Sequence, residues 1–211
     1  AARHCRRWGR PDSAYRVFMT SSTPGPTLET PRLILRPPVQ ADFDGFASMA
    51  QEEQTMRYIG GVAVRDSAWR YMAILTGAWA LLGYSMFSVI EKETGRWIGR
   101  LGPWRPGGTE GGWPGNEVGW GLVASAQGKG YAAEGATAAI NWAFDVLGWD
   151  SVIHCIHKDN APSIRLAERL GSRRQRENVS LPPPFHGTVV DIYGQTRDEW
   201  RAGNGTRVLT R

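Results

Sequence analysis

The most informative stretch of the chain reads EVGWGLVASAQGKGYA, from Glu117 to Ala132. Its first half alternates apolar residues with others and predicts a strand over 117–123. Small apolar residues at helical spacing follow Gly130 and predict a helix that ends at Gly148. The chain therefore runs from a strand through a tight turn directly into a helix.

This turn, Gln127–Ala132, has the composition of an anion-binding site. The first N–H groups of a helix have no intrahelical partner, and the helix dipole places positive potential beside them. Gly128 and Gly130 allow a phosphate to approach without a Cβ clash, and Lys129 adds a positive charge. The turn is not a Walker loop, because the Gly-Lys-Ser/Thr ending is missing, and the dinucleotide fingerprint is not matched either.

The remaining pattern predicts a mixed α/β domain. Turn residues at 92–95 join two strands into a hairpin, and the stretch 103–116, rich in glycine and proline, predicts a long loop. Asp42 or Gln40 is expected to cap the first helix. The predicted strands cover 33–35, 84–91, 96–104, 117–123, 152–157 and 189–193, and the predicted helices begin near residues 42, 65, 130 and 160.

The formal charge of +5 is concentrated at one end of the chain. Residues 1–18 hold five arginines against one aspartate, so the remainder is close to neutral. This segment is Arg-rich and acid-poor like a transit peptide, but we favour an unstructured extension or a mis-assigned start. We therefore expect a disordered or non-native extension over 1–27, one domain over 28–200 and a flexible tail over 201–211.

The sequence gives no reason to expect membrane or metal chemistry. No apolar run approaches the ~18 residues that a membrane-spanning helix requires. The two cysteines, Cys5 and Cys155, form neither a disulfide framework nor a zinc-ligand spacing. Cys155 stands among apolar neighbours, as a small hydrophobic residue does. These features predict a soluble, cytoplasmic protein without a bound metal.

Two segments together resemble the GNAT superfamily of N-acetyltransferases. The family pattern Gln/Arg-x-x-Gly-x-Gly/Ala is met by Gln127, Gly130 and Ala132. The segment Asn160–Gly171 is similar to the family's second coenzyme element and follows a predicted strand, as that element does. Two linked motifs are more specific than the glycine turn alone, which several kinds of nucleotide-binding protein share.

The opening residues 29–36 and the strand residues 117–120 are similar to one branch of this superfamily, which includes the ribosomal-protein N-terminal acetyltransferases. The likeness covers about residues 28–200. It implies a GNAT-like α/β fold with a mixed, mostly antiparallel sheet of about six to seven strands and about four helices. In this fold two central strands splay apart, and the pantetheine arm of the coenzyme lies in the opening.

The resemblance also implies acetyl-CoA as the co-substrate. The pyrophosphate would lie in the Gln127–Ala132 turn, and backbone groups at the strand end would bind the pantetheine amides. Asn160 also suits a helix cap, and Ser163 a hydrogen bond to the coenzyme or the helix backbone. The implied coenzyme contacts are Leu122, Val123, Gln127, Gly128, Lys129, Gly130, Tyr131, Ala132, Asn160 and Ser163.

The family reaction is direct transfer, in which an amine attacks the thioester carbonyl and coenzyme A leaves as a thiolate. Glu117, at the start of the predicted strand 117–123, is the candidate base, because that end of the strand faces the acceptor in similar enzymes. The alternative is a glutamate that is solvated or paired with an arginine. The N–H of Val123 is the predicted oxyanion donor. Ser163 is the remaining hydroxyl for the thiolate, since no tyrosine closely follows Gly171.

Two further groups of side chains leave alternatives open. His154 and His157 point to opposite faces of one strand, so only one of them can face the cleft as a base, and packed histidines are the commoner case. Two positions are open for three of the tryptophans, the wall of an acceptor pocket or the core: Trp104, Trp113 and Trp120.

The acceptor implied by the family is a primary amine, either a protein N-terminus or a small molecule. We expect Phe43, Tyr58 and the 105–116 loop to surround it, and a monomer or homodimer to carry the site. A non-catalytic acyl-CoA-binding sensor or partner module is the alternative, because the family tyrosine is absent. Nucleic-acid binding is disfavoured, since the arginines at 173–176 are typical of a solvated run.

Overall fold

The computed structural model describes residues 25–106 and 112–203, which form one eight-stranded sheet and six α-helices. The strands are β1 (Leu28–Glu29), β2 (Leu33–Arg36), β3 (Phe87–Glu91), β4 (Trp97–Trp104), β5 (Glu117–Leu122), β6 (Ser151–Ile156), β7 (Arg173–Ser180) and β8 (Val189–Thr196). The helices are α1 (Phe43–Met49), α2 (Glu53–Met56), α3 (Arg65–Leu82), α4 (Tyr131–Asp145), α5 (Ala161–Arg169) and α6 (Arg197–Gly203). Most of the predicted extension over 1–27 and of the predicted tail over 201–211 lies outside the described residues.

The sheet is antiparallel except at its centre. Its strand order is β1-β2-β3-β4-β5-β6-β8-β7, and β5 and β6 run parallel. These two strands are paired at one position, Glu117 opposite Ile153, and separate beyond it. The predicted mixed, mostly antiparallel sheet with splayed central strands is confirmed, with eight strands and six helices where about six to seven strands and four helices were expected.

Four elements carry too weak a pattern to be predicted. β1 has two residues and α2 has four, which is too short for a periodic signal. β7 reads RRQRENVS and is almost entirely exposed, because it forms the sheet edge beyond β8. The arginines predicted to be a solvated run lie in this strand, where Arg174 forms ion pairs with Glu177 and Asp191. α6 follows β8 without any boundary residue in the sequence.

Asp42 occupies the N-cap position of α1, as the sequence predicted, but its side chain makes no capping hydrogen bond. Its carboxylate accepts a hydrogen bond from each terminal nitrogen of Arg36 and one from the Ser88 hydroxyl, all at 2.7 Å. Burial raises the pKa of Asp42, but these bonds and one from the Val39 N–H outweigh burial, so the pKa is lowered. Asp42 therefore ties β2 and β3 to the start of α1.

α4 lies close against the sheet because its inner face is made of small residues. Ala136, Ala139 and Ala143 are fully buried. A Cβ at Gly135 would lie 2.6 Å from the Leu101 side chain of β4, so only glycine allows this approach. The packing holds the start of α4, and with it the predicted anion-binding turn, beside the end of β5.

The C-terminal helix belongs to the packed domain. Trp200 of α6 is buried, its indole N–H donates to Asn141 Oδ1 at 2.7 Å, and its ring lies near that of Phe144. Residues 201–203, assigned to the tail in the sequence prediction, continue this helix. None of the helices in the described part of the chain is long and apolar enough to cross a membrane.

Candidate active site

Hydrogen bonds between β4 and β5 show which edge of β5 faces β6. The Val123 N–H donates to the Ile98 carbonyl at 3.0 Å, so these two residues form a hydrogen-bonded pair. Bonded and non-bonded pairs alternate along antiparallel strands. Leu122 and Trp120 occupy the next non-bonded positions of β5. Their N–H and C=O groups therefore point toward the opening between β5 and β6.

Val123 has no free N–H for the oxyanion role that the sequence analysis gave it. Its N–H is bonded to Ile98, and its carbonyl accepts the Ala126 N–H at 2.9 Å. These two hydrogen bonds attach the end of β5 to β4 and to the turn that follows β5. The sequence pattern locates the strand end to within one residue, but not the direction in which each peptide group points.

The predicted phosphate-binding turn has the backbone geometry that its glycines allow. Gly128 and Gly130 have φ values of 74° and 81°, in the left-handed region that other residues adopt only at a cost. α4 begins at Tyr131, and its first intrahelical bond runs from the Glu134 N–H to the Gly130 carbonyl. The N–H groups of 131–133 thus lie without an intrahelical partner at the positive end of the helix.

Two side chains of this turn face the protein rather than the cleft. Gln127 donates to the Leu122 carbonyl at 2.9 Å and to the Thr55 hydroxyl at 3.2 Å. The Tyr131 hydroxyl donates to Glu91 at 2.7 Å. Both side chains hold the turn in place, and the Gln127 N–H is itself bonded to the Ala124 carbonyl at 3.2 Å, so Gln127 offers a ligand no backbone donor.

Arg32 supports the same turn from the side of β2. Its Nη1 donates to the Lys129 carbonyl at 3.0 Å, and its Nε donates to Glu134 Oε2 at 2.6 Å. Its guanidinium also lies 4.5 Å from the centre of the Tyr131 ring. The Lys129 side chain itself is exposed beside the turn.

A cleft runs from this turn along α5. Three arginines that the sequence analysis did not single out line it: Arg57 after α2, and Arg165 and Arg169 on α5. The two α5 arginines are four positions apart and share one helix face. That spacing, after the Asn160 motif, is the sequence signal that could have identified them. Together they give the cleft the positive charge that phosphates require.

The cleft meets a second cavity at Asn160, Ser163 and Trp120, which line both spaces together with Tyr58 and Ile59. The Asn160 side chain accepts the Ser163 N–H at 3.3 Å and so caps α5. The Ser163 hydroxyl oxygen accepts the Trp120 indole N–H at 3.2 Å. The hydroxyl proton is therefore free to be donated.

Glu117 lies in the second cavity, where β5 and β6 pair. It is only 6% exposed, its Oε2 accepts the Trp113 indole N–H at 2.8 Å, and its Oε1 accepts the Cys155 N–H at 3.3 Å. Burial raises the pKa of Glu117 to about 7, against the lowering effect of these bonds. The residue is neither solvated nor ion-paired with an arginine of the described segments. A carboxyl that titrates near neutral pH has the property of a general base.

The histidines of this region have packed positions. His154 is buried between the Val118 carbonyl, at 2.6 Å, and the Ser172 hydroxyl, at 3.0 Å. Burial lowers the pKa of His154 to about 4, so the imidazole is neutral at pH 7. His157 follows β6 and stacks on Tyr58 with ring centres 5.1 Å apart, at the mouth of the cavity.

Cys155 is not a reactive thiol. Burial, reinforced by the charge of Glu117, raises the pKa of the thiol above its ordinary value, so it stays protonated. Within residues 25–106 and 112–203, no three or more His, Cys, Asp or Glu side chains form a group that could hold a metal ion. The role of Cys155 at the site is therefore to donate its N–H to Glu117.

Aromatic rings form much of the wall of the second cavity. All three tryptophans proposed from the sequence and Tyr58 are among them, whereas Phe43 packs against Trp69 with ring centres 5.0 Å apart. Part of the predicted acceptor loop, residues 107–111, lies outside the described residues. The rings that line the cavity are Tyr58, Tyr71, Trp104, Trp113, Trp120 and Phe185.

Comparison with protein families agrees with this geometry. Residues 32–173 match the sequence profile of the acetyltransferase (GNAT) domain family. The match covers more than half of the chain and includes both the turn before α4 and the segment that caps and forms α5.

Individual proteins show the same likeness. The uncharacterized N-acetyltransferase YnaD of Bacillus subtilis (strain 168) is 26% identical over 149 residues, which cover 70% of this chain and 83% of the relative. The crystal structure of an acetyltransferase from Agrobacterium tumefaciens strain C58 is 27% identical, with a TM-score of 0.70 over 90% of this chain and 100% of the other. RimJ from Mycobacterium smegmatis, solved in complex with CoA-disulfide, shares the fold at 17% identity, with a TM-score of 0.64 over 79% of this chain and 83% of its own.

Proposed function

Because the chain belongs to the GNAT acetyltransferase family, we propose that it transfers the acetyl group of acetyl-CoA to a primary amine bound in the cavity beside Glu117. One observation carries the proposal. A cleft with the predicted phosphate-binding turn meets, at Ser163 and Trp120, a cavity that holds a carboxyl with a pKa of about 7.

In this proposal acetyl-CoA lies in the cleft with its pyrophosphate at the start of α4. The backbone N–H groups of 128–133 and the Lys129 side chain bind the phosphates, and Arg165 and Arg169 add positive charge along α5. The pantetheine amides bind the outward-facing backbone of Trp120, since the Leu122 carbonyl is bonded to Gln127. The CoA-disulfide complex of RimJ supports coenzyme binding by this fold.

The transfer makes one bond and breaks one. The amine nitrogen attacks the thioester carbonyl carbon to form the C–N bond, and the tetrahedral intermediate breaks its C–S bond. Counted from the protonated amine, the nitrogen loses two protons: the coenzyme sulfur gains one, and the other passes through the base to solvent. The products are the N-acetylated amine and free coenzyme A, with no change of oxidation state.

Glu117 takes the proton from the amine. Primary amines are mostly protonated at neutral pH and cannot attack until that proton is removed. Glu117 is half ionised near pH 7 and lies in the same cavity as the proposed acceptor, so it accepts the proton directly or through one water. Its bonds to Trp113 and Cys155 hold the carboxyl in place.

Two groups near the place where the cleft meets the second cavity stabilise the charges that develop on the thioester. The outward N–H of Leu122 takes the oxyanion role that Val123 cannot fill, because the Val123 N–H is bonded to Ile98. The Ser163 hydroxyl, whose own proton is free, donates to the departing thiolate.

A thiol-release assay tests this function. The purified protein is mixed with acetyl-CoA and a panel of primary amines that includes peptides with free N-termini, polyamines and amino acids, and free coenzyme A is measured. We expect release that depends on both the enzyme and one class of amine. Tight coenzyme binding without any amine-dependent release would instead identify a non-catalytic acyl-CoA-binding module.

A further inference from the structure

Arg100 of β4 is a cation buried in the acceptor cavity. It is only 5% exposed and lines the cavity together with Glu117. Its Nη1 donates to the sulfur of Met86 at 2.8 Å, and its guanidinium carbon lies 4.9 Å from the centre of the Tyr71 ring. Its Nε is buried and has no hydrogen-bond partner in the described part of the chain. The polar neighbours of the guanidinium are thus a thioether sulfur and the Tyr71 phenol, and both are neutral.

No anion among residues 25–106 and 112–203 lies within ion-pair distance of this cation. A thioether sulfur is a weak acceptor, and Tyr71 is a neutral phenol whose pKa burial raises above its ordinary value. By contrast, Arg36 on β2 has a buried carboxylate partner in Asp42. Burying an unpaired cation is costly, and a bound anion removes that cost.

The strand register places Arg100 and Glu117 at the two ends of a glycine-lined floor. Glu117, Gly119 and Gly121 alternate onto one face of β5, and Arg100 is opposite Gly121 on β4, so its side chain shares that face. A Cβ at Gly119 would lie 2.8 Å from Met86, the residue whose sulfur binds Arg100. The space beside these glycines is occupied by Met86 and by Ile59, whose Cδ1 would lie 3.1 Å from a Cβ at Gly121, and the carboxyl and the guanidinium line the same cavity around them.

An apolar recess continues from the cavity past Arg100. The two spaces share Tyr71, Arg100, Trp104 and Phe185 in their walls. The recess is further lined by apolar side chains of α1 and α2, Phe46, Met49 and Met56, and Ile59 lines both spaces. Beyond Arg100 these side chains are apolar, so the recess favours an apolar ligand group, whose burial is stabilising.

We propose that the amine acceptor is a free α-amino acid with an apolar side chain, whose carboxylate is bound by Arg100. Its amino group then faces Glu117, and its side chain enters the recess. This inference rests on the proposed function and specifies its substrate class. The carboxylate is unchanged by the reaction, and the product is the N-acetyl amino acid.

The other acceptors considered for this fold match the cavity less well. A protein N-terminus presents a neutral peptide group one carbon from its amine, which leaves the guanidinium without an anion. A polyamine would bring a second positive charge toward Arg100, and like charges repel in a buried site. The carboxylate therefore separates the free amino acid from both.

The test compares leucine, methionine and phenylalanine, each with its own amide, at saturating acetyl-CoA. An amide differs from its acid only at the carboxylate, and its amino group loses a proton more readily. An enzyme that ignores the carboxylate would therefore prefer the amides. We expect kcat/KM for at least one acid to exceed that of its amide by about tenfold or more, because a charge-assisted bidentate contact is lost in the amide.

Arg100→Met removes the guanidinium while keeping an apolar chain, and we expect it to bring the ratio of kcat/KM for the acid to kcat/KM for its amide down to about one or below. Arg100→Lys keeps the charge and part of the preference, which tests the idea even if the methionine variant does not fold. Arg70→Met, the same replacement at an exposed arginine of α3, should leave both rates unchanged.

Two results overturn the inference in distinguishable ways. If amides or peptides are acetylated at least as fast as the acids, and Arg100→Met changes neither, the enzyme is an N-acetyltransferase but the carboxylate is not recognised. If no amine of any class releases coenzyme A, the proposed function fails, and the substrate assignment fails with it.

Discussion

The carboxyl of Glu117 lies where a strand end, a loop tryptophan and a neighbouring strand meet. Its position at the start of a strand is visible in the sequence, so it could be chosen as a candidate base. Only folding creates the burial that raises its pKa to about 7 and the hydrogen bonds from Trp113 and Cys155 that act against this rise. Arg100 could not be singled out for the same reason, because in the sequence it is one charged residue in a hairpin strand.

The pH dependence of acetyl transfer should report this carboxyl. Glu117 acts as a base only when ionised, and its ionised fraction rises with pH through a pKa of about 7, so we expect kcat/KM for the acceptor to rise over the same range. Glu117→Gln should lower kcat by about 100-fold or more and remove this inflection. Steady-state rates from pH 5.5 to 9 check the prediction.

The exposed Glu93→Gln, in the hairpin turn between β3 and β4, is the control and should keep the wild-type profile. A Glu117→Gln enzyme with an unchanged rate and an unchanged inflection would assign the base to another group, while its coenzyme affinity would show that the cleft is intact.

The strand–turn–helix unit from β5 to α4 was predictable because all of its signals are local. Alternation marks the strand, glycines mark the turn, and small residues mark the helix face. β7 was not predictable, since it pairs with β8 on one edge only and carries no apolar face. The arginines of α5 were missed for another reason: their spacing becomes informative once the facing turn is known.

The turn offers a substitution with a closely matched control. Gly128 and Gly95 have φ values of 74° and 68°, and a Cβ at either position would meet nothing within 4 Å. Alanine at either site should therefore cost about 1–2 kcal/mol of stability from backbone strain. Only the Gly128→Ala Cβ occupies the space assigned to phosphate, so we expect the Kd of acetyl-CoA to rise about tenfold in that variant.

Calorimetric titration of both variants with acetyl-CoA, together with their thermal unfolding, checks this prediction. Equal loss of affinity in Gly128→Ala and Gly95→Ala would mean that general destabilisation, rather than the phosphate cradle, is being measured. If the affinity for acetyl-CoA is unchanged in both variants, the pyrophosphate does not bind at the turn.

At the scale of the whole molecule, the sequence supported a mixed α/β class, and the family resemblance supplied the splay between β5 and β6. Neither supplied the strand order at the β6-β8-β7 edge, because long-range pairing leaves no local pattern. The predicted domain ended at residue 200, whereas α6 continues beyond Trp200 to Gly203.

Trp200 tests whether α6 is part of the cooperative unit. The residue is 2% exposed and bonded to Asn141, so Trp200→Ala should lower the free energy of unfolding by about 3–5 kcal/mol. Trp69, at 48% exposure on α3, is the matched control, and its replacement by alanine should cost about 1 kcal/mol or less. Urea unfolding followed by circular dichroism measures both; equal effects would mean that α6 is not packed as described.

The central claim is that acetyl-CoA in the cleft acylates an amine in the Glu117 cavity. It is tested most directly by mass spectrometry of the acceptor after incubation with acetyl-CoA labelled in its acetyl group. We predict that the label appears as an amide on the acceptor nitrogen, with one coenzyme A released for each label transferred, and that Glu117→Gln loses the transfer while still binding acetyl-CoA. Label that stays on the coenzyme, or that reaches water in preference to every amine, would contradict the account.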